Sequence, residues 1–225
     1  MQYHTPPGLA RLLQQQDRLD DASAEMFLQR PRFAALASRH KDGTAPVAVS
    51  AFNLFQTPPP VAARLAELLR PALSAQGPEP ARVLEPSAGL GNLLSAVLAL
   101  QPEARLTAVE IAPQCAAVLH DQDRPGLTLL QRDFLTVSPA DLPAFDAVAM
   151  NPPFHMRADI RHTLHALEFL RPGGILAGIC MAGPHRETAL RPLCATWEPL
   201  PPDTFRATGT ATRAILFSIR KPAAA

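Results

Sequence analysis

From Ala81 onward, apolar residues gather in short solid runs, and the stretches between them are apolar on one side only. The runs "ARVLEP", "RLTAVEI", "LTLLQRDF", "FDAVAMN", "ILAGICMA" and "TRAILFSIRK" predict six buried strands. Between them, "NLLSAVLALQ", "PQCAAVLHDQ" and "PHRETALRPLCATW" predict helices. So does "ADIRHTLHALEFLRPGG", where Pro-Gly-Gly supplies the stop. Upstream, "TPPPVAARLAELLRP" opens on threonine and prolines and sets Val61, Leu65, Leu68 and Leu69 on one face, the pattern of an amphipathic helix. Strand alternating with helix predicts an α/β fold: a mostly parallel sheet with helices on both faces. Ligands in such sheets bind beyond the carboxyl ends of the strands.

The first fifty residues follow another rhythm. "TPPGLARLLQQQDRLDDASAEMFLQR" spaces Leu9, Leu12, Leu13, Leu19, Met26 and Phe27 helically, so residues 1–50 are expected to form an N-terminal helical extension and 51–225 the α/β domain. At 47% hydrophobic content, 225 residues can bury one sizeable core. The formal charge of +1 does not advertise a strongly basic nucleic-acid clamp. From Asn151 on, however, nine Arg/Lys face five acids, which reads either as a modest basic face or as ordinary surface scatter. Cys115, Cys180 and Cys194 lie far apart without a CxxC pair, so neither a disulfide framework nor a zinc site is expected, and a cytoplasmic setting is the simplest reading. No basic-then-apolar leader is read at the start. The apolar stretch near Ile175–Ala182 is too short to span a bilayer, so no membrane association is expected.

Four strand ends carry the candidate chemistry. In "VLEPSAGLGN", Gly89 and Gly91 allow backbone to approach a ligand closely, although a lone GxG serves equally as a structural turn. Glu110 ends the next strand about twenty residues later, the spacing at which a carboxylate meets ribose hydroxyls in this type of fold. With Glu85 it makes two acids beside a glycine turn that lacks a full phosphate cradle. That favours a cofactor with a ribose and a positive or amino-acid part. Asp133 could accept from an adenine amino group with Phe134 against the ring, or it could cap a helix. The fourth strand ends abruptly in "NPPF", Asn151 to Phe154, and all four ends point at one crevice.

Together "EPSAGLGN", "VEIA", "RDF" and "NPPF", in this order, resemble S-adenosyl-L-methionine-dependent methyltransferases of exocyclic amines, closest to the DNA adenine N6 group. The resemblance spans about Phe52 to Lys221 and implies a Rossmann-like class I methyltransferase fold. It implies cofactor contacts from Glu85, Pro86, Ser87, Ala88, Gly89, Gly91, Asn92, Glu110, Ile111, Asp133, Phe134 and Asn151, and from Gln56, Thr57 and Pro58 of "FQTPPP" at the methionine end. It implies catalysis by Asn151, Pro152, Pro153 and Phe154. Asn151 and the Pro152 carbonyl would accept the two N–H bonds of the amine, and Phe154 would stack on a flipped base. His155 borders the substrate or is a solvated loop residue, and Phe205 in "FRATGTATRAIL" is a candidate wall beside the base.

DNA is therefore the expected partner, methylated with little sequence selectivity because few residues remain for a target-recognition region. RNA methyltransferases of adenine N6 or guanine N2 also use "NPPF", which makes ribosomal or transfer RNA the alternative. A protein-glutamine methyltransferase or a non-catalytic cofactor-binding scaffold are the further rivals. His162 and His165, one helical turn apart, have a metal-ligand spacing but no evident third ligand, so packing or surface contact is the expected role and no metal is expected. Arg30 and Arg32 could touch phosphate or simply face solvent. Trp197 is expected in the core or at a sheet edge.

Overall fold

A computed structural model describes residues 56–74, 79–206 and 212–223. The expected N-terminal extension, with Arg30 and Arg32, lies outside the described residues. Each of the six apolar runs forms a strand: β1 (Arg82–Glu85), β2 (Arg105–Glu110), β3 (Leu127–Gln131), β4 (Phe145–Met150), β5 (Leu170–Met181) and β7 (Ala214–Arg220). A seventh, β6 (Thr196–Pro199), was expected as the end of a helix. The order across the sheet is β3-β2-β1-β4-β5-β7-β6. Pairing is parallel from β3 to β5 and antiparallel for β7 against both its neighbours. The fold is that of Rossmann-like class I methyltransferases.

Burial along the strands follows position in the sheet. β4 lies between β1 and β5, and all six of its residues are buried, which is why "FDAVAM" is almost wholly apolar. β3, on the edge, has no fully buried residue. The strand order reverses direction at β1, where β1 neighbours both β2 and β4, so the carboxyl ends of β1 and β4 diverge into a crevice. Helix α1 (Pro59–Ser74) covers one face of the sheet through Ala62, Leu65, Ala66, Leu69, Ala72 and Leu73, with Val61 and Leu68 half-buried beside them. Its first turn closes on the Pro58 carbonyl, which accepts from Val61 N and Ala62 N at 3.0 and 2.9 Å. Helices α2 (Asn92–Leu100), α3 (Pro113–Asp121) and α4 (Ala158–Glu168) follow β1, β2 and β4.

Two expected boundaries move. The helix read as stopping at Pro-Gly-Gly ends earlier, at Glu168, and Arg171 to Gly174 belong to β5. Proline has no N–H to give a ladder, so Pro172 sits where the pairing slips: Phe145 faces Leu170, but Ala147 already faces Ile175. Asp146 fills the gap, accepting the Arg82 N–H at 2.7 Å and pairing with Arg171. The second shift concerns "PHRETALRPLCATW". Its helix, α5, covers only Pro184–Ala189, and the chain turns at Arg191–Leu193 to lay β6 against β7. Trp197 thus lies on an edge strand with its ring 6.2 Å from that of Phe217.

Glycine has one packing role at the middle of the sheet. A Cβ on Gly178 of β5 would lie 2.8 Å from Phe217 Cζ on β7 and 2.9 Å from Met150 Cγ on β4. Gly178→Ala is expected to lower stability by about 1–3 kcal/mol through overpacking, read as a lower urea midpoint with an unchanged slope.

Candidate active site

β1 ends in Glu85, and the chain then folds through Pro86 to Gly91 before α2 begins. Gly89 and Gly91 have φ of 53° and 82°, the left-handed region that glycine enters without strain. At Gly91 space is short as well, since a Cβ would stand 2.8 Å from Leu119 Cδ2. Glu110, at the end of β2, closes the turn: Oε2 accepts from Gly89 N and Oε1 from Ala112 N, both at 2.7 Å. Glu85 Oε2 accepts from Leu94 N in the first turn of α2 at 3.1 Å. Its carboxyl is buried, and burial holds its pKa well above the usual carboxylate range; the Leu94 N–H and the Arg124 charge oppose that rise, and Glu110 adds to it.

The crossing point of the site is Thr57, which is 3% exposed. Its carbonyl accepts from Asn92 Nδ2 at 2.9 Å and its hydroxyl from Asn151 Nδ2 at 3.1 Å. One threonine before α1 therefore holds both the glycine turn and the tetrad after β4. Asp133, after β3, accepts from Leu135 N at 2.9 Å as a helix cap and also lines the crevice. Phe134 is buried, with His165 and Phe169 rings 4.8 and 5.3 Å away.

These strand ends enclose a cavity of about 650 Å³, within the range of small-molecule sites. It brings together most of the residues expected from the sequence: Gln56, Thr57, Glu85, Pro86, Ser87, Ala88, Gly89, Asn92, Glu110, Ile111, Asp133, Phe134, Asn151, Pro153 and His155. Five others lie outside the lining. Pro58 carries the helix start, and Gly91 and Pro152 are buried in the backbone behind the cavity. Phe154, 8% exposed, and Phe205, fully buried, belong to the core cluster, so neither ring forms a wall of the cavity. An aromatic ring in a tetrad whose first residue faces the ligand was expected to face it too. Here the chain turns between Pro153 and Phe154 and sends the ring inward.

The lining also holds residues that sequence reading did not assign, among them Cys115, Arg132, Arg161 and His162. Arg132 precedes Asp133, and Arg161 follows the tetrad by one helical stretch, so proximity to a motif was the available signal. Cys115 is buried, and burial with the nearby Glu110 charge pushes its thiol up to about 11. His162 and His165 each lie beside another polar group. His162 Nδ1 lies 3.4 Å from Ser87 Oγ, His165 Nε2 lies 3.0 Å from the Val137 carbonyl, and no group of metal-binding side chains occurs among the described residues.

No protein-family model matches the sequence, and no curated protein matches it. Solved structures do match. A candidate RNA methyltransferase from Pyrococcus horikoshii is 19% identical, with 86% of this chain and all of that chain covered at a TM-score of 0.58. The 23S rRNA methyltransferase ErmE is 21% identical over 76% of this chain and 72% of its own, at 0.53. A Burkholderia thailandensis 1,6-didemethyltoxoflavin-N1-methyltransferase, solved with S-adenosylhomocysteine, is 18% identical over 72% and 78%, at 0.51. At these identities the likeness is one of fold. No described helix is long and apolar enough to cross a membrane.

Burial also sets a pH dependence. It lowers the His162 pKa from 6.5 to about 4, reinforced by Arg161 and opposed by Asp133. The unfolded chain therefore holds a proton that the folded chain lacks between those values. Stability from this group is present above about 6.5 and is lost as pH falls toward 4, by on the order of 3 kcal/mol. His162→Gln is expected to flatten that acid-side fall in urea midpoints measured from pH 7 to pH 4.5.

Proposed function

We propose that this chain transfers a methyl group from S-adenosyl-L-methionine to the exocyclic N6 amine of adenine in DNA, with little sequence selectivity. The observation that carries the reading is the meeting of Asn151, held through Thr57, with the Glu85–Glu110 glycine turn in one cavity. The residues fit the cofactor chemically. Glu110 has lone pairs for ribose hydroxyls beyond the two backbone N–H groups it accepts. A cationic ligand beside Glu85 would offset the burial penalty on its carboxylate. Asp133 and Phe134 offer an acceptor and an apolar ring for adenine, and Gln56 and Thr57 lie near the methionine end in the resemblance. When bound, the cofactor supplies an electrophilic methyl group on a sulfonium.

The N6 lone pair of adenine is delocalised into its ring, which makes the amine a poor nucleophile. Asn151 binds Thr57 through its amide nitrogen, so it acts on an amine through its carbonyl oxygen, accepting an N–H. Pro152, expected to supply the second acceptor, is buried off the cavity lining, so that role falls to a backbone carbonyl of its cavity-lining neighbours Asn151 or Pro153, and the consecutive prolines fix both acceptors in advance. Withdrawing both protons toward oxygen acceptors localises the lone pair for in-line attack. No strong base is required, because the amine becomes acidic only after methylation, and the gain comes from positioning. His155, exposed beside the tetrad and lining the cavity, supplies the stacking face, while Phe154 anchors the tetrad from within the core. Arg132 and Arg161 add positive charge suited to a phosphate-bearing substrate.

RNA is the second reading. It is supported by the fold likeness to ErmE and to the Pyrococcus protein, whereas "EPSAG" supports DNA. Labelled cofactor offered with duplex DNA, single-stranded DNA and total RNA separates the two, with products digested to nucleosides and identified by mass. N6-methyladenine is expected in DNA across many sequence contexts. A mark confined to RNA moves the protein to the second reading, and a single short consensus overturns the low selectivity. Asn151→Ala is expected to lower kcat by about 10²–10³ while cofactor affinity, measured by calorimetry, stays within about twofold.

A further inference from the structure

Behind the tetrad lies an ion pair that none of the motifs contains. Asp159, in the first turn of α4, is fully buried, and Arg186 of α5 has 6% of its side chain exposed. The guanidinium meets the carboxylate as a fork: Nε lies 2.9 Å from Oδ2 and Nη2 lies 2.9 Å from Oδ1. The same Nη2 donates at 3.0 Å to the carbonyl of Phe154, the last residue of "NPPF". Asp159 also accepts from Met181 N at the end of β5 at 3.2 Å and from Ile160 N at 3.1 Å. One buried pair thus joins the tetrad, α4, α5 and the end of β5.

The chain between Phe154 and Asp159 explains why such a tie is needed. Met156 and Arg157 have φ of 46° and 58°, two consecutive non-glycine residues in the left-handed region. Such backbone is strained and persists only where the surroundings over-determine it. The segment is held at both ends by the pair: Arg186 holds the Phe154 carbonyl before it, and Asp159 anchors α4 after it. Buried ion pairs of this kind often contribute little net stability compared with apolar side chains of similar size. The pair's distinctive contact is the one to the tetrad.

Resting on the function proposed above, we infer that Arg186, oriented by Asp159, is a positioning residue that holds the Phe154 carbonyl and thereby fixes the Asn151–Phe154 segment in its reacting geometry. The double variant Asp159→Leu/Arg186→Met removes the charges together and keeps the volume. It leaves the Phe154 carbonyl and the Met181 and Ile160 N–H groups without that partner, so it is expected to unfold cooperatively at a lower urea midpoint while remaining folded without urea. Amide hydrogen exchange over residues 154–158 is expected to quicken at least about tenfold, and kcat to fall by about 10–100-fold with the KM for cofactor unchanged, since small misplacements are costly in rate. Arg186→Lys keeps a charge beside Asp159 but loses the fork, and is expected to show the same split in smaller degree. Wild-type exchange over 154–158 together with wild-type kcat in either folded variant overturns the inference. If the double variant does not fold, Arg186→Lys decides by the same two readouts. If wild-type protein methylates none of the substrates, the function fails by itself, and the exchange measurement still decides whether Arg186 holds the segment.

Discussion

The site depends on one constraint: Thr57 must satisfy two asparagines at once. Its carbonyl takes Asn92 and its hydroxyl takes Asn151, so the residue preceding α1 sets the distance between the glycine turn and the tetrad. These are bonds among part-buried polar groups, where a missing partner costs about 1 kcal/mol. Neither asparagine can shift without leaving Thr57 unsatisfied. The large apolar face of α1 packs against the sheet and anchors the helix that the threonine immediately precedes. Packing energy far from the cavity is thereby converted into precision within it.

A second set of bonds closes the site from the other direction. Glu110 receives two backbone N–H groups, one from the turn after β1 and one from the start of α3. The end of β2 consequently cannot separate from the end of β1 without freeing the Gly89 N–H, while the bond from Ala112 fixes how the carboxylate is turned. Asp159 and Arg186 do the same for the far side of the tetrad. Each carboxylate at this sheet edge is engaged with backbone before any ligand is considered, which is the preorganised state that electrostatic catalysis requires.

Legibility in the sequence followed the range of the interaction. The six apolar runs and the helix α1 were readable because burial on a sheet or a helix face imposes a local period. The cavity acids were readable because strand ends converge by topology. β6 was not, because "ATWEP" is half-exposed on an edge and lacks the solid apolar pattern of a central strand. Pro-Gly-Gly was read as a stop, whereas a pairing partner with a bulge could absorb it. The inward ring of Phe154 and the pairing of Asp159 with Arg186 depend on side chains 27 residues apart or on one backbone turn, and no local pattern encodes either.

Cys115 lies along the cavity and is fully buried. Were a sulfonium methyl donor bound there, a thiolate would be the protein group most readily methylated. With its pKa pushed to about 11, only about one thiol in 10⁴ is ionised at neutral pH. The burial that seats the residue in the core therefore also holds its thiol in the protonated, weakly nucleophilic form.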